Sequence, residues 1–327
     1  MRRTVPSRLT LHVGFNKTAS TWFQHHVFPY LEQVQYIGRG KDPVRGLRRD
    51  LVRACPAYQA LGLPTEQWRH RADDVIRALV APAKDGRPGV VSHERMSAPW
   101  RFFAERGKPI RHPDALPESL ALLRERALAL GVERVAVLFF IRRQDSYLPS
   151  FYAERSDRIP RAGQSDFEAQ LERILGEEYA TRGAFLDYGR TVRALQQALP
   201  EADLKVLPFE RLRGDAEQVL REVGAFLGED GEALVSRVDT GRRGRQRGGK
   251  RPNTWTLRPR RGAVIRPAKL RRRLGLDTER TEVTLTADWA ERIRETYRAS
   301  NRDLAAAVPE LTESLVAHGY IEDTPAG

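Results

Sequence analysis

Seven consecutive apolar residues, Val135–Ile141, constrain the fold more than any other stretch of this 327-residue chain. A strand without polar alternation is typical of a parallel sheet that is covered on both faces. The run ends abruptly in Arg142 and Arg143, and ligands of open α/β sheets bind at the carboxyl ends of such strands. The sequence therefore predicts an α/β fold with a binding site just beyond this strand.

Three more apolar segments predict further strands, at Leu9–Gly14, Gly89–Ser92 and Leu204–Pro208. Helical patterns fill much of the sequence between them, and Asp114–Leu130 carries an apolar stripe that is expected to pack on the sheet. This alternation favours a central parallel sheet flanked by helices. Residues from about 39–84 and 156–186 are predicted to be polar helical inserts.

The first predicted strand runs directly into a loop of small and hydroxyl residues around Lys17. Backbone amides at the start of the next helix and the helix dipole favour an anion there, and a lysine adds positive charge. The hydroxyls of Thr18, Ser20 and Thr21 are expected to donate hydrogen bonds to that anion. Gly14 precedes Lys17 by only three positions, so the loop is too short for a Walker-type nucleotide site.

Residues Asn16–Trp22 resemble the phosphosulfate-binding loop of the sulfotransferases, whose pattern is roughly Pro-Lys-Ser/Thr-Gly-Ser/Thr-Thr-Trp. Here Asn16 replaces the proline and Ala19 replaces the glycine, at a position where glycine permits positive φ or a close ligand approach. The resemblance implies that one set of residues binds the phosphosulfate end of the donor: Lys17, Thr18, Ala19, Ser20, Thr21 and Trp22.

A second segment resembles the same family. In sulfotransferases, an arginine at a strand end and a serine eight positions later in the next helix bind the 3′-phosphate of the donor. Arg142 and Ser150 have this spacing. The family's Asn-Pro after the arginine is replaced by Arg143-Gln144, so Arg143 is an alternative to Arg142, although the spacing favours Arg142. Either motif taken alone is also compatible with a strand end whose cations face solvent or pair with surface carboxylates.

Weaker similarity extends the resemblance over residues 9–320, approximately, through Leu204–Leu212, Val223–Gly228, Ala299–Ala305 and Gly319-Tyr320. It implies a P-loop-NTPase-like sulfotransferase fold in a single domain, 1–327. The implied donor is 3′-phosphoadenosine 5′-phosphosulfate, the implied product is adenosine 3′,5′-bisphosphate, and no metal is required. A small-molecule kinase is an alternative that would share the sheet and the phosphate loop.

Transfer of a sulfuryl group to a hydroxyl or amine needs a base that removes the acceptor's proton. Glu94 resembles the Ser-x-Glu element that follows the second strand in many bacterial and glycan-type members. His93 and His112 are rivals, because the small-molecule branch of the family uses a histidine. For each of the three, a structural ion pair or buried hydrogen bond is as compatible with the sequence as catalysis. Lys17 is expected to neutralise charge on the bridging oxygen.

The formal charge of +13 is concentrated in a Gly/Arg-rich region of about residues 237–273, which includes Arg242–Arg251. Lack of periodicity predicts a loop or lid. It could close over the donor, for which Arg247-Gly248 is a weak match to a family element. It could instead bind a polyanion or nucleic acid, which is the less favoured alternative, or it could be solvated surface.

A single cysteine, Cys55, excludes an intramolecular disulfide and gives no indication of a zinc site. No stretch approaches the roughly 20 apolar residues of a membrane span, and the basic residues at the start are not followed by a removable apolar core. We therefore expect a cytoplasmic enzyme. Its acceptor, such as a glycan, lipid, phenol or natural product, and its oligomeric state are not fixed by the sequence.

Overall fold

The computed structural model describes residues 5–41, 48–50, 69–80, 86–97, 102–103, 112–199, 203–242, 251–259 and 282–322. These residues form the strands β1 Arg8–Gly14, β2 Gln35–Ile37, β3 Arg39–Lys41, β4 Arg48–Asp50, β5 Gly89–Ser92, β6 Arg134–Ile141, β7 Asp203–Pro208, β8 Thr254–Thr256 and β9 Glu282–Thr284. A central parallel sheet has the order β2-β5-β1-β6-β7, and two antiparallel pairs, β3-β4 and β8-β9, lie outside it.

The helices are α1 Ser20–Trp22, α2 Ala72–Val80, α3 Ala115–Ala129, α4 Gln144–Arg155, α5 Gln164–Leu175, α6 Tyr188–Ala198, α7 Arg211–Gly214, α8 Ala216–Leu227, α9 Gly231–Arg237, α10 Ala287–Ala307 and α11 Thr312–Ala317. Helix α1 continues as a π-helical turn, Phe23–Val27. Helix α8 ends at Gly228, whose φ of 87° places it in the left-handed region that glycine adopts without strain.

Two apolar clusters cover the two faces of the sheet, and β6 contributes to both. Val137 and Phe139 belong to one cluster, which also contains residues of α3, α6 and α10. Leu138 and Phe140 belong to the other, which contains residues of the π-helical turn and of α8. Successive side chains of a strand point to opposite faces, so an uninterrupted apolar strand is buried on both sides. The predicted parallel α/β sheet with flanking helices is confirmed.

The order of the strands places β1 between β5 and β6. From β1 the chain crosses first to one side of the sheet, to β2 and β5, and then to the other, to β6 and β7. The gap between β1 and β6 is therefore the point at which the winding reverses, where ligands of open α/β sheets bind. The amide of Phe15, just after β1, donates to the carbonyl of Phe140 at 2.8 Å.

The four strands predicted from apolar runs are all present, within one residue at each end, and the helix predicted at Asp114–Leu130 is α3. The prediction of wholly helical inserts was wrong for the first one. Its described part begins with the β3-β4 hairpin before α2, because strands this short carry no recognisable alternation. The second insert contains α5 together with the short turns Ser156–Arg158 and Gly183–Leu186.

Candidate functional site

The loop after β1 is a tight turn in which two residues other than glycine have left-handed backbone conformations. Lys17 has φ 70° and Ala19 has φ 62°. The hydroxyls of Thr18 and Ser20 both donate to the carbonyl of Phe15, the second at 2.9 Å. This differs from their expected role, since the turn brings both hydroxyls onto a carbonyl of the loop itself. A cavity lies beside this turn. Thr18 is fully buried and is not among the described residues that line that cavity.

Thr21 is exposed and Trp22 is buried, and both border that cavity together with Lys17, Ala19 and Ser20. Among the described residues, the nitrogen of the Trp22 indole has no hydrogen-bond partner, although the residue is only 4% exposed. A buried indole N–H normally has a partner.

The conformation of Ala19 leads to a stability prediction for Ala19→Gly. A left-handed non-glycine residue costs about 1–2 kcal/mol, whereas glycine loses about 0.5–1 kcal/mol through the entropy of the unfolded chain. We therefore expect Ala19→Gly to raise the free energy of unfolding by about 0.5 kcal/mol, measured by urea denaturation. The matched change Ala121→Gly, inside α3, should lower it by about 1 kcal/mol. Equal losses from the two variants would contradict this account of the loop.

Arg142 follows β6 and lies against the first loop. Its side chain is 6% exposed and donates to Ser146 Oγ at 2.9 Å, Ser150 Oγ at 3.3 Å and the Lys17 carbonyl at 3.0 Å. Its guanidinium carbon lies 5.0 Å from the centre of the Phe209 ring. Burial lowers the pKa of Arg142 to about 10, so the group remains charged at neutral pH. Arg142 and Ser150, which are predicted to bind the same phosphate, thus lie within hydrogen-bond distance of each other.

The neighbouring Arg143 is directed elsewhere. Its Nε donates to Asp145 at 2.7 Å and its Nη1 donates to the carbonyl of His318 at 2.9 Å. Its backbone amide donates to Glu210 Oε1 at 3.1 Å, and Glu210 Oε2 accepts from the hydroxyl of Tyr320 at 2.7 Å. Arg143 therefore ties the turn after β6 to the C-terminal segment. Of the two arginines, only Arg142 is bonded to the first loop by a contact that we observe in the described residues.

Both motifs border one cavity of about 910 Å³, within the range of about 300–1,000 Å³ of small-molecule sites. Basic side chains outnumber acidic ones among its described lining residues, which include Lys17, Arg142, Arg143, Arg213, Arg251, Arg258 and Arg294 against Glu94, Asp145 and Glu154. An excess of one sign of charge in a cleft concentrates ligands of the opposite sign. The cavity is therefore suited to an anionic ligand.

The three candidate bases lie in different surroundings. Glu94 lines the cavity, in a short turn that follows β5. His93 is 4% exposed and its amide donates to the His12 carbonyl at 2.9 Å. The His112 side chain is exposed, with Nδ1 3.3 Å from a carboxylate oxygen of Asp114. Neither His93 nor His112 is among the described lining residues, so the structure brings only Glu94 to the cavity.

Sequence reasoning missed Glu154, whose Oε2 lies 2.8 Å from Lys17 Nζ. The available signal was its position one helical turn after Ser150, which places the two side chains on the same face of α4. It also missed the β8-β9 hairpin, which contributes Thr254, Trp255 and Thr256 to the cavity wall. No periodic pattern marks these short strands beside the Arg-rich region.

Neither predicted insert contributes a described residue to the lining of the cavity. Of the basic region, residues 237–242 and 251–259 are described, and Arg251 and Arg258 line the cavity. Residues 243–250, with Arg247-Gly248, lie outside the described part of the chain. The expectation that this stretch forms a lid stays a prediction.

Within the described ranges, no group of three or more His, Cys, Asp or Glu side chains is placed to hold a metal ion. None of the described helices combines the length and the apolar composition that a membrane span requires.

The sequence matches no protein-family model, and no curated protein is significantly similar to it. Its fold, in contrast, is similar to that of a sulfotransferase from Alicyclobacillus acidocaldarius whose crystal structure has been solved. The two share 13% sequence identity with a TM-score of 0.51, and the match covers 93% of this chain and 96% of the other. The described part of the chain therefore shares the α/β fold of that sulfotransferase.

Proposed function

We propose that this protein is a sulfotransferase that moves a sulfuryl group from 3′-phosphoadenosine 5′-phosphosulfate to a hydroxyl or amine of a carbohydrate, lipid or small-molecule acceptor. The observation that carries the proposal is the 3.0 Å hydrogen bond from Arg142 Nη1 to the Lys17 carbonyl. It joins two anion-binding motifs, from separate strands, in one basic cavity. A nucleotide that is anionic at both its 3′ and 5′ ends needs two such motifs. The structural similarity supports the same activity.

In this proposal each motif binds one end of the donor. The turn at Lys17–Trp22 binds the 5′-phosphosulfate through the Lys17 ammonium, the Thr21 hydroxyl and backbone amides at the start of α1. Arg142 binds the 3′-phosphate. Ser150 accepts from Arg142, which leaves its own hydroxyl proton to donate to the same phosphate. Because the cavity draws residues from Asn16 to Arg294, we propose that 1–327 act as one domain.

The chain then contributes positioning, electrostatics and proton removal. The acceptor oxygen or nitrogen forms a bond to sulfur as the bond from sulfur to the 5′-phosphate oxygen breaks. Lys17 neutralises the charge that develops on the departing oxygen, a role worth about 10²–10³ in rate for a well-placed donor. Glu94 accepts the acceptor's proton, which contributes about 10²–10⁴.

Nucleotide-dependent stabilisation tests this function. At a hundred times its Kd, adenosine 3′,5′-bisphosphate should stabilise the folded protein by about 2.7 kcal/mol, which raises the Tm by roughly 4 °C for a chain of this size. The shift should persist in EDTA and should be larger than that given by ATP with Mg²⁺ at the same concentration. A shift with ATP and Mg²⁺ alone would favour a kinase. Steeply salt-dependent polyanion binding that survives Lys17→Ala would favour the Arg-rich region instead.

A further inference from the structure

Helix α4 presents three polar side chains at intervals of four residues, Ser146, Ser150 and Glu154, along one face. The first two accept hydrogen bonds from Arg142, and the third forms an ion pair with Lys17 at 2.8 Å. One helical stripe thus holds the cations of both motifs. The serines are neutral and can share a cation with a bound phosphate. Glu154 is an anion and competes with one.

The ion pair is partly shielded from solvent, since the side chains of Lys17 and Glu154 are 23% and 31% exposed. Burial acts to raise the pKa of Glu154, but attraction from Lys17, Arg258 and Arg155 outweighs it and leaves the pKa below its ordinary value. Glu154 is therefore ionised at neutral pH. A second anion at the Lys17 ammonium would meet the negative charge of Glu154, which lies at hydrogen-bond distance from the same group.

Glu154 also has an alternative cationic partner. Its Oε1 lies 3.9 Å from Arg258 Nη2, and the backbone amide of Arg258 donates to Ser156 Oγ at 2.7 Å, which fixes that arginine to the end of α4. The Glu154 carboxylate therefore lies between two cations, Lys17 and Arg258. Arg258 borders the cavity from beyond β8.

We propose that Glu154 is a positioning residue that holds Lys17 in the cavity and yields it to the anionic group of the ligand, its carboxylate then pairing with Arg258. The identity of the ligand in this inference rests on the proposed function, whereas the change of partner by Glu154 does not. The cost of displacing the carboxylate lowers the affinity for any anion that needs Lys17.

Isothermal titration calorimetry with adenosine 3′,5′-bisphosphate tests the exchange. We expect Glu154→Gln to bind it about tenfold more tightly than wild type, a difference of about 1.4 kcal/mol. Glu133→Gln removes a charge from an exposed residue before β6, at the opposite end of the sheet, and should leave the affinity unchanged. Glu154→Asp, which keeps the charge but withdraws it, should give a smaller gain in the same direction.

Two further titrations distinguish this proposal from simple charge repulsion and from the assignment of the donor. In a Lys17→Ala background, the gain from Glu154→Gln should fall below about threefold, because no ion pair remains to be broken. An equal gain there would show simple charge repulsion and overturn the proposal, as would unchanged or weaker binding by Glu154→Gln. The same comparison of wild type with Glu154→Gln can be made with inorganic pyrophosphate, which has no nucleoside. If wild type fails to bind the bisphosphate but Glu154→Gln gains affinity for pyrophosphate through Lys17, the donor assignment falls and the exchange stands.

Discussion

Replacing Lys17 with alanine is expected to lower turnover by about a thousandfold, because in the proposed mechanism the Lys17 ammonium neutralises the charge that develops on the departing oxygen. This is the largest effect that we expect from a single substitution. Turnover is measured as adenosine 3′,5′-bisphosphate released from the donor in the presence of sugar, phenol and amine acceptors, with water as the background acceptor. Binding of the bisphosphate should weaken only about tenfold, since Arg142 still holds its 3′ end.

The backbone conformation of Lys17 allows Lys17→Ala to remove the ammonium with little added backbone strain. Lys17 already has a φ of 70°, and alanine meets the same left-handed conformation at a similar cost. Stability should therefore fall by no more than about 1 kcal/mol, most of it from the ion pair to Glu154. Lys17→Arg keeps the charge and should retain more activity than Lys17→Ala. Wild-type turnover by Lys17→Ala would remove the lysine from the mechanism.

The meeting of the two motifs could be predicted from the sequence because it depends on strands that the sequence marks strongly. Val135–Ile141 and Leu9–Gly14 are apolar runs, each followed by a cation. The carboxyl ends of parallel strands lie at one edge of a sheet, so the cations had to meet if the strands were neighbours. The structure shows that the two strands are neighbours, because β1 pairs with β6.

The rest of the site depends on contacts between elements far apart in the chain. Glu154 reaches Lys17 across 137 sequence positions, from 17 to 154. Its position one helical turn after Ser150 indicates which face of α4 it occupies, but not that Lys17 is its partner. Strand β2 has three residues and begins with a polar glutamine, so its pattern is too short to recognise. The loop hydroxyls were assigned to a ligand because the sequence does not show that Lys17 and Ala19 turn them onto Phe15.

Arg142→Lys should weaken the binding of adenosine 3′,5′-bisphosphate by about a hundredfold, or about 2.7 kcal/mol. The substitution keeps the charge but not the planar fork, and lysine cannot reproduce the simultaneous bonds to Ser146, Ser150 and the Lys17 carbonyl. The matched variant is Arg143→Lys, whose side chain is committed to Asp145 and His318. It should change the affinity by less than about threefold.

A ligand that lacks the 3′-phosphate identifies the group that Arg142 binds. Adenosine 5′-monophosphate should bind wild type weakly and lose less than about threefold on Arg142→Lys, because its one phosphate lies at Lys17. A hundredfold loss for both nucleotides would instead mean that Arg142 acts through the carbonyl of Lys17 and supports the first loop. A hundredfold loss on Arg143→Lys alone would move the 3′-phosphate to the neighbouring arginine. The ratio of the two losses therefore measures how much of the Arg142 effect is contact with the 3′-phosphate and how much is support of the Lys17 turn.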